Sequence, residues 1–178
     1  MASCLNCKKL FTLAREINAT NFIANSLVFS PPRPVNYTIE ETDQIKSLDR
    51  GSCYKKVKFT HNEFPLINYP WIEVEAYQLK KFSNKKRIAL LRIQNKFISN
   101  ENKFTIIFSH GNCSDISTIF SFLVDMATIL KVDVVSYDYS GYGRSEGRPS
   151  ENEICLDIEQ VMDFLTSYLR LKQQSIIL

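Results

Sequence analysis

The sequence is short of histidine: His61 and His110 are its only two in 178 residues. Structural zinc sites draw on two cysteine pairs, or on one pair with histidines. Cys4 and Cys7 have no second pair and no histidine nearby, so zinc does not fit them. A thioredoxin-type pair does not fit either, because it belongs at a strand-to-helix junction rather than at residue 4. The five cysteines are an odd number without the spacing of a disulfide framework. With no secretory signal, reduced thiols in the cytosol are the default. No run approaches the roughly 20 apolar residues that span a bilayer. The most apolar N-terminal stretch, 5–29, is broken by Lys8, Lys9, Arg15 and Glu16 and lacks a signal-peptide charge order and cleavage site. The sequons at Asn18, Asn36 and Asn112 are therefore read as chance matches. Charge is nearly balanced, 22 basic against 19 acidic residues, and a net +3 is too mild to imply nucleic acid. No pattern calls for a metal or a cofactor.

What remains is a chain long enough for one domain with a real core. Residues 1–34 read as a leader. Leu10, Leu13, Ala14 and Ile17 fit one helical face, which Phe22, Ile23, Leu27 and Val28 extend, and Ser30-Pro31-Pro32-Arg33-Pro34 stops it. Two readings stay open for Cys4 and Cys7. One is S-acylation, with Lys8 and Lys9 for anionic lipid and an apolar helix for the interface. The other is two cysteines without a role in a frayed terminus.

The domain is expected over 35–178. Residues 36–70 look polar and irregular, with room for a short strand or two. Trp71 to Leu79 alternates as a half-buried strand, and Arg87 to Ile93 gives a second. Lys80 to Lys96 holds seven basic residues and no acid. It reads as a solvated hairpin tip or a membrane-facing patch.

The stretch from Lys103 to Gly147 organises the rest. An apolar run, Phe104 to Phe108, stops at Ser109-His110-Gly111-Asn112. A helix capped by Ser114 or Asp115 follows, with Ile116, Ile119, Phe120, Leu123, Met126, Ala127 and Leu130 on one stripe. Phe122, Val124 and Ile129 lie off that stripe, so this helix is expected to be buried on more than one side. The β-branched run Val132 to Tyr137 then ends at Asp138 and a loop containing Gly141, Gly143 and Gly147. Strand, helix, strand is a βαβ unit of an α/β fold, and ligands gather at the carboxyl ends of such strands. Ser150-Glu151-Asn152-Glu153 is a capping box for a second helix, and Ser175 to Leu178 starts another strand.

These residues carry a resemblance. SHGN before a helix, then SYDYSGYGRSEGRPS, a helix and SIIL, resembles the α/β-hydrolase fold. Within it, the chain is similar to the membrane-anchored abhydrolase-domain group of protein depalmitoylases, related to the serine-peptidase-like hydrolases. The cysteines followed by FIANSLVFSPPRPVNYTI look like that group's acylated leader. The resemblance covers nearly the whole chain but only the front half of the family's domain. It implies an antiparallel first hairpin, then parallel strands with flanking helices, truncated before the nucleophile elbow. It also implies that the backbone amides of Asn112 and Cys113 are oxyanion-hole donors beside Gly111. His110 and Asp138 are read as loop-bracing groups rather than base and acid, and Gly141, Gly143 and Gly147 as positions of positive φ or close approach. The implied partners are a membrane surface, on its cytoplasmic face, and S-acylated protein substrates.

The family's nucleophile sits in a Gly-x-Ser-x-Gly elbow after the strand that begins here at Ser175. Gly143-Arg144-Ser145-Glu146-Gly147 matches that pattern by letter. It follows a loop instead of a strand, and no histidine lies downstream, so it is rejected. No catalytic residue is therefore assigned. The chain is expected to be an inactive N-terminal piece of a serine hydrolase, or else a non-catalytic, lipid-anchored binding module. The exposed apolar strand near Leu178 is expected to make the isolated chain associate.

Overall fold

The computed structural model of the protein describes residues 21–47, 53–61, 68–80, 86–97 and 103–178. Cys4, Cys7, the helix face from Leu10 to Ile17 and the hairpin tip 81–85 lie outside the described residues. The chain divides into two units, Met1–Ser30 and Pro31–Leu178. In the first, residues 21–28 are helical, with Phe22, Ile23, Leu27 and Val28 exposed. No helix among the described residues is long and apolar enough to cross a membrane.

The second unit is built on a mixed seven-stranded sheet in the order β1-β2-β3-β4-β6-β5-β7. The strands are β1 (Tyr37–Ser47), β2 (Cys53–His61), β3 (Ile72–Lys80), β4 (Arg87–Asn95), β5 (Thr105–Ser109), β6 (Asp133–Tyr137) and β7 (Ile176–Ile177). The first four are antiparallel, and β6 is antiparallel to β4. From β6 onward the sheet turns parallel, with β5 beside β6 and β7 beside β5. Helix α1 (Ile116–Ile129) joins β5 to β6, and α2 (Glu151–Asp163) follows β6 and ends in a single π-helical turn, Phe164–Tyr168. This is the α/β architecture implied by the resemblance.

Residues 36–70 are a correction. They hold two long strands, β1 and β2, paired from Tyr37↔His61 to Ser47↔Cys53 with a bulge between Glu41 and Ile45. The apolar signal there is thin because charge occupies part of the hairpin. Lys58 reaches Glu40 across the pair at 3.0 Å, and Lys56 reaches Glu75 of β3 at 2.6 Å. Each exposed pair is worth under ~1 kcal/mol, so the strands are held by the ladder and by Tyr37, Tyr54 and Val57 in the core.

Both helix caps form as the sequence reads. The Asp115 carboxylate accepts from the Thr118 amide at 2.9 Å, and Ser150 Oγ accepts from the Glu153 amide at 3.2 Å. Helix α1 lays Ile116, Phe120, Leu123, Val124 and Ala127 on one sheet face, against Val57, Ala76, Leu91, Ile93 and Val134. Each such side chain contributes roughly 1.5–3 kcal/mol when fully buried, which is what seats the helix. The other side of α1 is not covered: Phe122 is 49% exposed and Ile129 75%. The expectation of burial on more than one side holds for Val124, which is fully buried, and fails for Ile129 and for Phe122, which meets Phe108 of β5 at 5.3 Å between rings yet stays half-exposed. The π-helical turn lies on the opposite sheet face, where Phe164 meets Tyr54 and Tyr77 at ring distances of 5.4 and 4.9 Å. Residues of β6 are buried without interruption, as expected of a strand covered on both sides.

Candidate functional site

Strands β5 and β6 are in register from Thr105↔Asp133 to Ser109↔Tyr137. Residues 110–114 and 138–147 therefore leave the sheet side by side. The first segment is a tight turn in which the Ser114 amide donates to the Gly111 carbonyl at 3.0 Å. Two tyrosines of the second segment pin it. Tyr139 donates its hydroxyl to the His110 carbonyl, and Tyr142 donates to Asn112 Oδ1, both at 2.6 Å. Asn112 and Cys113 stay exposed on the crest of the turn. The Cys113 amide makes no hydrogen bond among the described residues. At Gly111 the surroundings are open. A Cβ there would meet nothing nearer than Ser114 Oγ at 3.9 Å, so the space beside it opens outward.

Beneath the turn lies a buried polar cluster. Tyr37, the first residue of β1, donates its hydroxyl to Asp138 Oδ2 and accepts from the Arg144 amide at 2.9 Å. Asp138 Oδ1 accepts from the Ile116 amide at 2.8 Å, which ties the end of β6 to the start of α1. His110 sits between, with Nδ1 2.9 Å from the Gly111 carbonyl and Nε2 3.6 Å from Asp138 Oδ1. The first contact fixes the tautomer with the proton on Nδ1. Nε2 is buried without a hydrogen-bond partner. Burial drives the electrostatics. It raises the Asp138 carboxyl to about 7 and lowers His110 below its ordinary value. Tyr37 is pushed up by burial first and by the adjacent Asp138 second. A neutral imidazole enclosed by Tyr139 and Tyr142, with no exposed nitrogen, is a brace in this geometry.

The glycine loop closes over this cluster. Gly141, Gly143 and Gly147 have φ of 87°, 47° and 107°. At Gly143 the demand is steric as well: a Cβ would fall on the Asp138 carboxylate. Ser145 is committed to the loop. Its hydroxyl donates to the Asp138 carbonyl at 2.7 Å and accepts from the Ala89 amide of β4 at 2.9 Å. Its letter match to a nucleophile elbow thus corresponds to a structural serine. On the other flank Asp157 of α2, fully buried, accepts from the Ser140 amide at 2.8 Å and from Ser140 Oγ at 3.1 Å.

Four of these residues escaped the sequence reading: Tyr37, Tyr139, Tyr142 and Asp157. A signal existed for Asp157, an acid three residues after Ile154 and four before Val161 on an otherwise apolar stripe. Tyr37 gave none, since its partner lies 101 residues away. No group of three or more metal-ligating side chains occurs among the described residues.

Comparison with known proteins bears on the chain's relatives and its fold. The α/β hydrolase domain-containing protein aho-3 of Caenorhabditis elegans is 33% identical over 156 residues, covering 88% of this chain and 43% of that protein. The α/β hydrolase domain-containing protein 17C of Xenopus laevis is 32% identical, over 88% of this chain and 52% of its own. The chain spans about half the length of the curated relatives it matches. A solved hypothetical protein of Pseudomonas aeruginosa shares the fold, with a TM-score of 0.53 at 17% identity over 64% of this chain and 36% of that one. No protein-family model matches. By sequence and by fold, this chain is a homologue of the α/β hydrolase domain-containing proteins, matching part of their length.

Proposed function

We propose that this chain is the oxyanion-stabilising part of a serine hydrolase that removes acyl groups from S-acylated proteins, lipid-anchored through Cys4 and Cys7 at the cytoplasmic face of a membrane. Acyl transfer passes through an anionic tetrahedral species, and fixed backbone amides at its oxygen lower that barrier. The observation that carries the reading is the braced turn at the end of β5, with its unpaired Cys113 amide and the open space beside Gly111. Tyr139 and Tyr142 hold that turn before any substrate arrives, so little reorganisation is left for the reaction step. The donors alone do not hydrolyse. Ser145 is engaged with Asp138 and Ala89, and His110 offers no exposed nitrogen to act as base. The nucleophile, its base and its acid are supplied from outside these 178 residues.

The test joins residues 1–178 to the second half of the Xenopus laevis relative. Labelling by a fluorophosphonate probe and hydrolysis of a palmitoyl thioester are then measured beside residues 1–178 alone. A silent chain and an active chimera are expected. Labelling of the chain alone would show that it carries its own nucleophile. A chimera that melts cooperatively yet stays silent, beside an active intact relative, would remove the hydrolase reading and leave a lipid-anchored binding module. Hydroxylamine-sensitive mass increments on the protein from cells, lost in Cys4→Ser/Cys7→Ser, test the anchor.

A further inference from the structure

The opposite end of the sheet carries a second concavity, of about 880 Å³, where β5, β6 and β7 begin. Arg92, Lys103, Arg170 and Lys172 all line it, and Asp133 is the one acid among its lining residues. Both oxygens of Asp133 are occupied. Oδ1 takes Lys103 Nζ at 2.7 Å, and Oδ2 takes an Arg92 nitrogen at 3.3 Å. Arg92 also reaches Glu75 at 3.3 Å. Even with Glu75 counted, four cations face two acids among the described residues, and two positive charges remain. Arg170 and Lys172 have no acidic partner among the described residues. Arg92 Nε is buried without an acceptor.

A second observation is independent of charge. Arg170 follows the π-helical turn with φ at 57°, a backbone state that favours glycine. The left-handed residue closes the helical segment, with the Leu171 amide donating to the Leu165 carbonyl at 3.0 Å across it. Here the strained residue and Lys172 contribute to the same wall.

We propose that this groove binds a phosphate-bearing anion, with Arg170 and Lys172 as its principal contacts. Guanidinium groups suit two phosphate oxygens at once, and a pyrophosphate-sized ligand neutralises the two uncompensated charges. Half-exposed Phe104 offers a ring to the remainder of the ligand. The site lies away from the oxyanion turn, at the other ends of the same strands, and does not rest on the hydrolase reading.

Two sources share this chemistry, a soluble phosphorylated molecule and a phosphoinositide headgroup. The experiment is calorimetric titration of the full chain with inorganic pyrophosphate, with melting followed in parallel. Wild type binds. Arg170→Gly melts about 2–4 °C higher without ligand, because glycine relieves the backbone, yet binds pyrophosphate about tenfold more weakly. Lys172→Glu weakens binding at least as much, with an unchanged ligand-free melt. Sedimentation with phosphatidylcholine vesicles containing a phosphoinositide is the second arm. Sedimentation lost in Lys172→Glu assigns the headgroup, and pyrophosphate binding without such a loss assigns a soluble ligand. Unaltered pyrophosphate affinity in both variants, or no binding by wild type in either arm, overturns the site.

Discussion

At the carboxyl ends of β5 and β6, hydroxyl-to-carbonyl and hydroxyl-to-carboxylate bonds fill a buried space with no lysine or arginine among its buried residues. At the amino ends of the same two strands, Asp133 is clamped by Lys103 and Arg92, and Arg170 and Lys172 have no acidic partner among the described residues. Left-handed backbone occurs at both ends. At the carboxyl end it falls on Gly141, Gly143 and Gly147, and at the other on Lys131 and Arg170, just beyond the two helical segments. The difference lies in tolerance. A loop locked over a buried carboxyl has no room for a Cβ. An open helix end accepts a strained residue at a modest cost, and a cation there also meets the negative end of the helix dipole.

The sharpest way to break this contrast is Gly143→Ala. The added Cβ meets Asp138 while φ stays positive, and overpacking with left-handed strain is expected to cost about 3–5 kcal/mol in urea unfolding. A loss below about 1 kcal/mol would mean that the loop is free to move aside.

Asp138→Asn tests the buried carboxyl itself. Unfolded, the group ionises near its ordinary value, and folded near 7. Between those values the folded state holds a proton that the unfolded state has lost, so stability falls as pH rises from about 4 to 7. At ~1.4 kcal/mol per pKa unit, that is about 4 kcal/mol from this group. His110, lowered by burial, gives the opposite slope as pH rises towards its unfolded value. Urea midpoints at pH 4.5 and 7.5 should therefore show the falling component in wild type and its loss in Asp138→Asn. A difference between the two proteins that does not change with pH would sink the assignment.

At the amino end, Lys103→Met removes one of the two cations on Asp133. Breaking a buried pair is costly, but Arg92 remains, so about 2–3 kcal/mol is expected from chemical denaturation. An equal or greater stability would show that the network is not structural. The smallest expected effect is a gain. Lys131→Gly at φ 54° should stabilise by up to about 1 kcal/mol. Unlike Arg170→Gly, it should leave pyrophosphate binding untouched, since Lys131 does not line the groove.

Much of this fold was legible because its signals are local. The caps at Asp115 and Ser150, the apolar runs of β5 and β6 and the glycine-spaced loop each depend on a few adjacent residues. The β1–β2 hairpin was hidden because charged residues such as Lys56 and Lys58 dilute its apolar alternation, and their partners Glu75 and Glu40 lie on other strands. Helix α1 was read as too widely buried, since sequence shows that Phe122 and Ile129 are apolar but not whether anything covers them.

Sequence by itself determined the βαβ unit and the ends at which its loops converge, because periodicity, capping and turn chemistry are short-range, and the stretches SHGN and SYDYSGYGRSEGRPS carried the resemblance to α/β hydrolases. Tertiary structure alone decided that Tyr37 braces Asp138, that Asp157 holds Ser140, that Ser145 bridges Asp138 and Ala89, and that Arg170 joins Arg92 in one wall. Those pairings join residues from 7 to 101 positions apart, or place distant residues in one lining. They exist only after strand order and register bring the chain ends of β5, β6 and their neighbours together.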